Sequence, residues 1–299
     1  GISKAEYLAD FVAADQCHDL AGYLRKANNA IALMQKPAQL IAVTEDLFRQ
    51  LADDGVIYAE IRFAPLQHLQ EGLTPQQVVE IVEKAICKAS AQSGIPARLI
   101  LCTLRHYTAA QSLETAQLVV DFKGSRVVAL DIAADEAAYP LHAHQAAFDL
   151  VRQAGIAATA HAGEAKGAES VWESLRKLQV QRIGHGVRST EDPKLVEYLR
   201  TAAIHLEVCP TSNIQTRVFP TIREHVVNEL YEAGISLSIN TDGRALSNTT
   251  LSREYQLLAE TFAWNKTHFR RCNLAAITHA FVEERLKQQL RTRIEEAYV

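Results

Sequence analysis

The chain is 299 residues long, 48% apolar and 22% charged, with a formal net charge of −4. That length buries a large core as one large domain or two ordinary ones, with the composition of a soluble globular protein. No apolar run is long enough to span a membrane, and the slight acidity offers no basic face to nucleic acid or anionic lipid, so a small-molecule partner fits better. The five cysteines (17, 87, 102, 209 and 272) are scattered and lack CxxC spacing; Cys102 and Cys209 lie in apolar strand-like runs and read as core residues. Without a disulfide framework the expected location is the reducing cytoplasm. The chain opens on Gly1 rather than Met, so its natural start is expected to lie elsewhere, and a missing targeting signal carries little weight.

Residues 1–50 read as helical: Ser3 and Glu6 have capping-box spacing, and Leu20, Leu24, Ile31, Leu33 and Leu40 recur at loosely helical intervals. Val56–Phe63 reads as a strand closed by Pro65, with Glu60 and Arg62 on one face, where an internal ion pair with another group is expected. Thr74-Pro75 opens a helix that runs to Gln92. Strand and helix then alternate: strand 98–103, helix 109–120, strand 126–132, helix 141–154, a strand from 156 to His161, helix 168–178, strand 182–185, helix 192–199. Strand 204–209, helix 222–233, strand 235–242 and helices from Leu251 to the end complete the chain. Strict alternation means a parallel sheet with helices outside it. The first βα turn has no GxGxxG and no phosphate loop, which argues against an open dinucleotide-binding sheet. Polar residues at the ends of many different strands indicate a barrel with its active site at the C-terminal mouth. The expected fold is therefore α/β, a (β/α)8 TIM-type barrel forming a single domain over residues 1–299, with its first strand missing from this chain.

Four strand tips carry chemistry. Thr159 and His161 share one strand face, and Gly163 lets the backbone turn before Glu164. His185 lies between two glycines that leave room for close approach of backbone or ligand. Ser236, Ser238, Asn240 and Asp242 alternate with apolar or weakly polar residues, giving the last strand a polar face that ends in a carboxylate. The fourth tip is Asp131 through Glu136. Singly, each is more often a structural histidine or a capping aspartate. Two histidines and an aspartate on barrel strand ends together suit a zinc hydrolase.

His161-Ala-Gly-Glu164, Arg182-Ile-Gly-His-Gly-Val187, Glu207-Val-Cys-Pro-Thr-Ser-Asn213 and Ser238-Ile-Asn-Thr-Asp242 resemble, in order and spacing, the motifs of the adenosine deaminase family. Tyr58–Pro65 and Asp131–Glu136 fit the same pattern, and the likeness runs from about the first helix to the C-terminus. The resemblance implies a (β/α)8 barrel with one zinc ion that hydrolyses the 6-amino group of adenosine, and of deoxyadenosine, to inosine and ammonia in purine salvage. Carried over by position, His161 and Asp242 would ligate the metal, whose role is to lower a water's pKa to roughly 7. Glu164 would pass a proton to purine N1, and His185 would orient and help deprotonate the attacking water, which Asp242 also contacts. A carboxyl group with that duty must hold its proton, so a raised pKa in a dry pocket is expected of Glu164. Gly163, Gly243 and Ala134 fall at substrate-binding positions.

Three positions depart from the family pattern. The family's first strand supplies a His-x-His pair of further zinc ligands, and nothing before Val56 resembles it; the one His-x-His, His142-Ala-His144, reads as a solvated helix start. Gly243 stands where the family has a second Asp, and Ala134 where it has a Gly whose backbone meets the purine. The last two open an alternative, a deaminase of adenine or another 6-aminopurine. The first opens another, a metal-poor pseudoenzyme or nucleoside-binding protein. The sequence does not indicate an oligomeric state.

Overall fold

The computed structural model describes residues 3–13, 17 and 19–298. The helical expectation over 1–50 also takes in residues 1, 2, 14–16 and 18, which lie outside the described residues, as does Val299 at the end of the C-terminal helices. Among the described residues seven strands form: β1 Ala59–Phe63, β2 Ala97–Leu104, β3 Val127–Ala133, β4 Ala157–Ala162, β5 Arg182–His185, β6 His205–Val208 and β7 Ser236–Ile239. They follow one another in the sheet in chain order, with parallel registers such as Ala59 beside Ala97, Leu130 beside Ala158 and Leu206 beside Leu237. Parallel neighbours joined by helices are the arrangement of a TIM-type barrel sheet, here with seven strands instead of eight. Strands covered on both faces need apolar residues at successive positions, and Leu99–Cys102 are buried without a break. Helix starts are set locally: the Thr74 hydroxyl accepts from Gln77 N–H and Gln77 reaches back, so that Pro75 begins a helix to Ser93.

The chain forms two compact units. One comprises Asn28–Ala134 and Pro140–Thr159. In it Arg62 meets the fully buried Asp131 carboxylate at 3.0 Å, which is the internal ion pair anticipated for the first strand. His142-Ala-His144 forms a short 3-10 turn, and only His142 is exposed. His144 is buried with its ring nitrogens 3.0 Å from Ser112 Oγ and 3.1 Å from the Arg105 carbonyl, so it is a satisfied core residue and not a solvated helix start.

The other unit comprises Gly1–Ala27, Asp135–Tyr139 and Ala160–Val299. It holds the tip of β4 and all of β5, β6 and β7. Arg182 donates through Nε to Glu207 at 2.6 Å, a buried pair on neighbouring strands. The polar face anticipated for the last strand divides in two. Ser236 and Ser238 hold the two nitrogens of the buried His205 ring at 2.9 and 3.0 Å, and the strand ends at Ile239, leaving Asp242 on the following loop. Among the described residues no helix is long and apolar enough to cross a membrane.

Candidate active site

The residues expected to do chemistry or hold the metal lie in the second unit, at or just beyond the ends of its strands, whereas Ala134 belongs to the first unit. His161 is the penultimate residue of β4, and a turn through Gly163 carries the chain to Glu164. Gly163 has φ +69°, and a Cβ there would lie 2.5 Å from Val171 Cγ2, so both conformation and space call for glycine. His185 ends β5 with its ring centroid 5.4 Å from that of His161. The room left by Gly184 is taken by this neighbour: a Cβ at Gly184 would come within 3.1 Å of the His161 ring. His185 Nε2 lies 3.5 Å from Glu164 Oε2. His185 (φ +63°) and Asp242 (φ +54°) both adopt the left-handed backbone region, which side chains other than glycine seldom occupy and which recurs at functional sites.

Asp242 is joined to this group through the helix Pro210–Gln215, which follows β6. Ser212 Oγ donates to Asp242 Oδ2 at 2.8 Å, Asn213 Nδ2 lies 3.1 Å from His185 Nδ1, and Thr216 Oγ1 donates to Glu164 Oε1 at 3.1 Å. One short helix and its C-cap Thr216 thus touch all three residues expected to do chemistry. Ser212 and Asn213 appeared in the sequence only as parts of a motif, and Thr216 lay outside it.

Burial pushes the Glu164 carboxyl above its ordinary range; the His185 ring beside it draws it back, and the charge of Asp242 raises it further. Its backbone is held by Glu136. That buried carboxylate accepts from the N–H groups of Gly163, Glu164, Ala165 and Lys166 at 2.7, 3.0, 2.7 and 3.0 Å, and from the Ser170 hydroxyl. Successive N–H groups converging on one anion form a nest. The sequence flagged Glu136 only as the end of a strand-tip motif. A cavity of about 570 Å³ opens beside Glu164, with Asp19, Asp135 and Glu191 in its wall and Arg188 and Arg217 among them.

Gly243 precedes the turn Arg244–Ser247, and a Cβ there would stand 3.7 Å from the Tyr23 hydroxyl, which is itself 2.6 Å from Ser247 Oγ. Burial pushes the Tyr23 phenol upward, so it remains protonated. Ala134, within the Asp131–Glu136 motif and the last of its residues in the first unit, has φ +78°, a conformation suited to the glycine that the family pattern places there. Among the described residues no three His, Cys, Asp or Glu side chains converge in a group that could hold a metal ion.

A parallel β/α sheet with imidazole and carboxyl groups collected at its strand ends defines a barrel hydrolase. The Adenosine deaminase family profile matches residues 3–297. An adenosine deaminase of Clostridium acetobutylicum is 33% identical over 279 residues, 93% of this chain and 83% of its own. One of Mycobacterium marinum is 37% identical over 286 residues, 90% and 78% of the two chains. Among solved structures, an amidohydrolase from Burkholderia ambifaria with bound Zn superposes with a TM-score of 0.91 at 22% identity, covering 99% of this chain and 82% of its own. The adenine deaminase of Arthrobacter aurescens gives 0.89 at 23% (98% and 87% covered), and Arabidopsis ADAL complexed with IMP gives 0.88 at 23% (98% and 86%). These three share the fold. The chain belongs to the adenosine deaminase family and is a hydrolytic deaminase acting on adenosine-like substrates.

Proposed function

We propose that the chain hydrolyses adenosine to inosine and ammonia: water adds at C6, the C6–N bond breaks and the amino group leaves as ammonia. The observation that carries this reading is Glu164, a buried carboxyl group with its pKa pushed upward, beside both His185 and an open cavity. In its acid form it is suited to protonate a purine ring nitrogen, which makes C6 electrophilic. In this reading His185 orients the attacking water and Asp242, which accepts from Ser212, holds it against the purine ring; the contacts of His185 with Glu164 and of Asp242 with Ser212 support these roles. Gly163 and Gly243 flank these groups.

The cavity wall supports an uncharged nucleoside over a nucleotide. Asp19, Asp135 and Glu191 outnumber the two arginines, and Arg188 is already engaged by Glu191 at 2.6 Å. The names of the relatives support adenosine itself. Adenine is the second reading, favoured by Gly243 and Ala134, which depart from the family pattern, and by the adenine deaminase among the fold neighbours.

One zinc ion is the cofactor that the family implies, and the neighbour with bound Zn supports a metal. His161 and Asp242 are the ligands this chain offers. The described residues fall short of a complete zinc site, since no three donors converge.

The test is loss of ultraviolet absorbance by adenosine, deoxyadenosine, adenine and AMP, each with added zinc and with a chelator, alongside metal analysis of the protein. Fastest turnover of the nucleosides supports the proposal. Turnover of adenine alone transfers the assignment to the second reading, and absence of turnover on all four removes it.

A further inference from the structure

The hydrogen bonds behind His185 fix where its proton sits. The chain of contacts starts at a group with no choice: the Val227 backbone N–H can only donate, and it lies 3.0 Å from Nδ1 of the His225 ring. Nδ1 of His225 is therefore the acceptor, and the proton of that neutral ring is on Nε2, 3.1 Å from Asn213 Oδ1. Asn213 is oriented in turn, with its carbonyl oxygen toward His225 and its NH2 toward Nδ1 of His185 at 3.1 Å. Nδ1 of His185 must then accept, so the neutral ring carries its proton on Nε2, the nitrogen 3.5 Å from Glu164 Oε2.

We propose that His225 and Asn213 are positioning residues that fix the tautomer of His185, so that this ring presents Nε2–H to the reaction site. Two observations strengthen the geometry. Asn213 and His225 are both buried, so water does not compete for these bonds. Burial also pushes His225 down to about 3, so the relay is not broken by protonation of its ring near neutral pH. A consequence follows for the reaction. With Nε2 protonated and Nδ1 engaged by Asn213, neutral His185 has no lone pair facing the site. It acts as a donor that orients an oxygen, and the proton that the water gives up on adding to C6 goes instead to the Asp242 carboxylate.

The kinetic part of this inference rests on the deaminase reading, whereas the tautomer can be read without turnover. The experiment is long-range proton–nitrogen NMR on the full chain with 15N-labelled histidine, at a pH where imidazoles are neutral, with the His185 signals assigned through His185→Asn. The expected wild-type spectrum has His185 protonated on Nε2; protonation on Nδ1 overturns the proposal. Asn213→Asp supplies a carboxylate that accepts from both rings, and it should invert His185 to the Nδ1–H form. In the same variant kcat should fall on the order of tenfold or more with a much smaller change in KM. A merely structural role for Asn213 would lower the melting temperature and leave tautomer and kcat alone, and that result also overturns the proposal. Should Asn213→Asp not fold, the wild-type spectrum decides by itself. Wild-type protein without turnover on any purine would sink the deaminase reading and leave the tautomer to be decided by the spectrum.

Discussion

At the scale of single residues, Glu136 and Glu164 are two buried carboxyl groups with opposite settings. Glu136 faces five hydrogen-bond donors, four of them successive backbone N–H groups, an environment that suits a carboxylate. Glu164 faces burial and the charges of Asp242 and Glu136, which favour the neutral acid. In Glu136→Gln an NH2 group replaces one acceptor and points at donors. The expected loss is about 1.5–3 kcal/mol, the range for hydrogen bonds to a charged group. For a chain of this size each kcal/mol lowers the melting temperature by about 2–4 °C, and kcat should fall because the turn that carries Glu164 loosens. A variant with unchanged melting and unchanged turnover would refute this reading of the nest. Glu164 itself gives a signed pH dependence. Its folded-state pKa is raised, so its contribution to stability is complete below the ordinary glutamate pKa of about 4.3 and is lost as pH rises through the raised value. Stability of Glu164→Gln relative to wild type should therefore improve as pH increases from about 4.3, measured by denaturant titration at several pH values. A difference that is flat with pH would mean the two states share one pKa.

At the scale of elements, the Pro210–Gln215 helix links Asp242 and His185 through Ser212 and Asn213, and Glu164 through its C-cap Thr216. Its contacts reach residues on three different segments, so truncating one of them should affect its own partner first. Ser212→Ala removes the bond to Asp242, and Thr216→Val removes the one to Glu164 together with the Thr216 contact to the Ser212 carbonyl; each bond to a carboxyl group is about 1 kcal/mol, roughly a fivefold fall in kcat when it is lost from the transition state. The double variant should add nearly in full, because Ser212 and Thr216 serve different carboxyl groups. A double variant no slower than the worse single one would show the helix acting as one unit. The strands were legible from sequence because each is a short apolar run ending in a glycine, a proline or a polar tip, as at Arg182–His185 and His205–Val208. The order of motifs also gave His161, Glu164, His185 and Asp242; His161 packs its ring against His185, and the other three share one hydrogen-bonded group. What the sequence left hidden depends on long-range contact. Thr216 lies 52 residues from Glu164, and Ser212 lies 30 from Asp242. His225 falls where a continuous helix was anticipated over 222–233; the chain instead makes a 3-10 turn at Ile222–Glu224 and a helix at Val227–Glu232, and the break is what buries the ring.

At the scale of the whole molecule, buried neutral histidines set the acid limit of the fold. His225 and His205 in one unit and His144 in the other are each driven down by burial first; the His279 ring and Arg182 add to the effect at His205, and Arg105 is among the charges that add to it at His144. Their hydrogen bonds are made in the neutral form, His205 to two serine hydroxyls and His144 to Ser112 and a carbonyl. In the unfolded chain the same rings titrate near 6.5. The sign follows: a depressed pKa contributes stability that is complete above about 6.5 and is lost as pH falls below it, continuing toward about 3 in the case of His225. Ordinary carboxylates titrate near 4, so the interval between about 6.5 and 5 isolates the histidines from the loss of ion pairs such as Arg62–Asp131. Calorimetric melting temperature should therefore decline across that interval, before ordinary carboxylates are protonated, the three depressed rings outweighing the opposite pull of the raised Glu164 and Glu254 carboxyl groups. Replacing His205 by Gln should reduce the slope even though it lowers the melting temperature at pH 7, because an amide occupies the same polar niche without a proton to gain. A melting temperature that is level from pH 7 to 5 in the wild-type chain would mean that these rings are charged, or reachable by water, in the folded state.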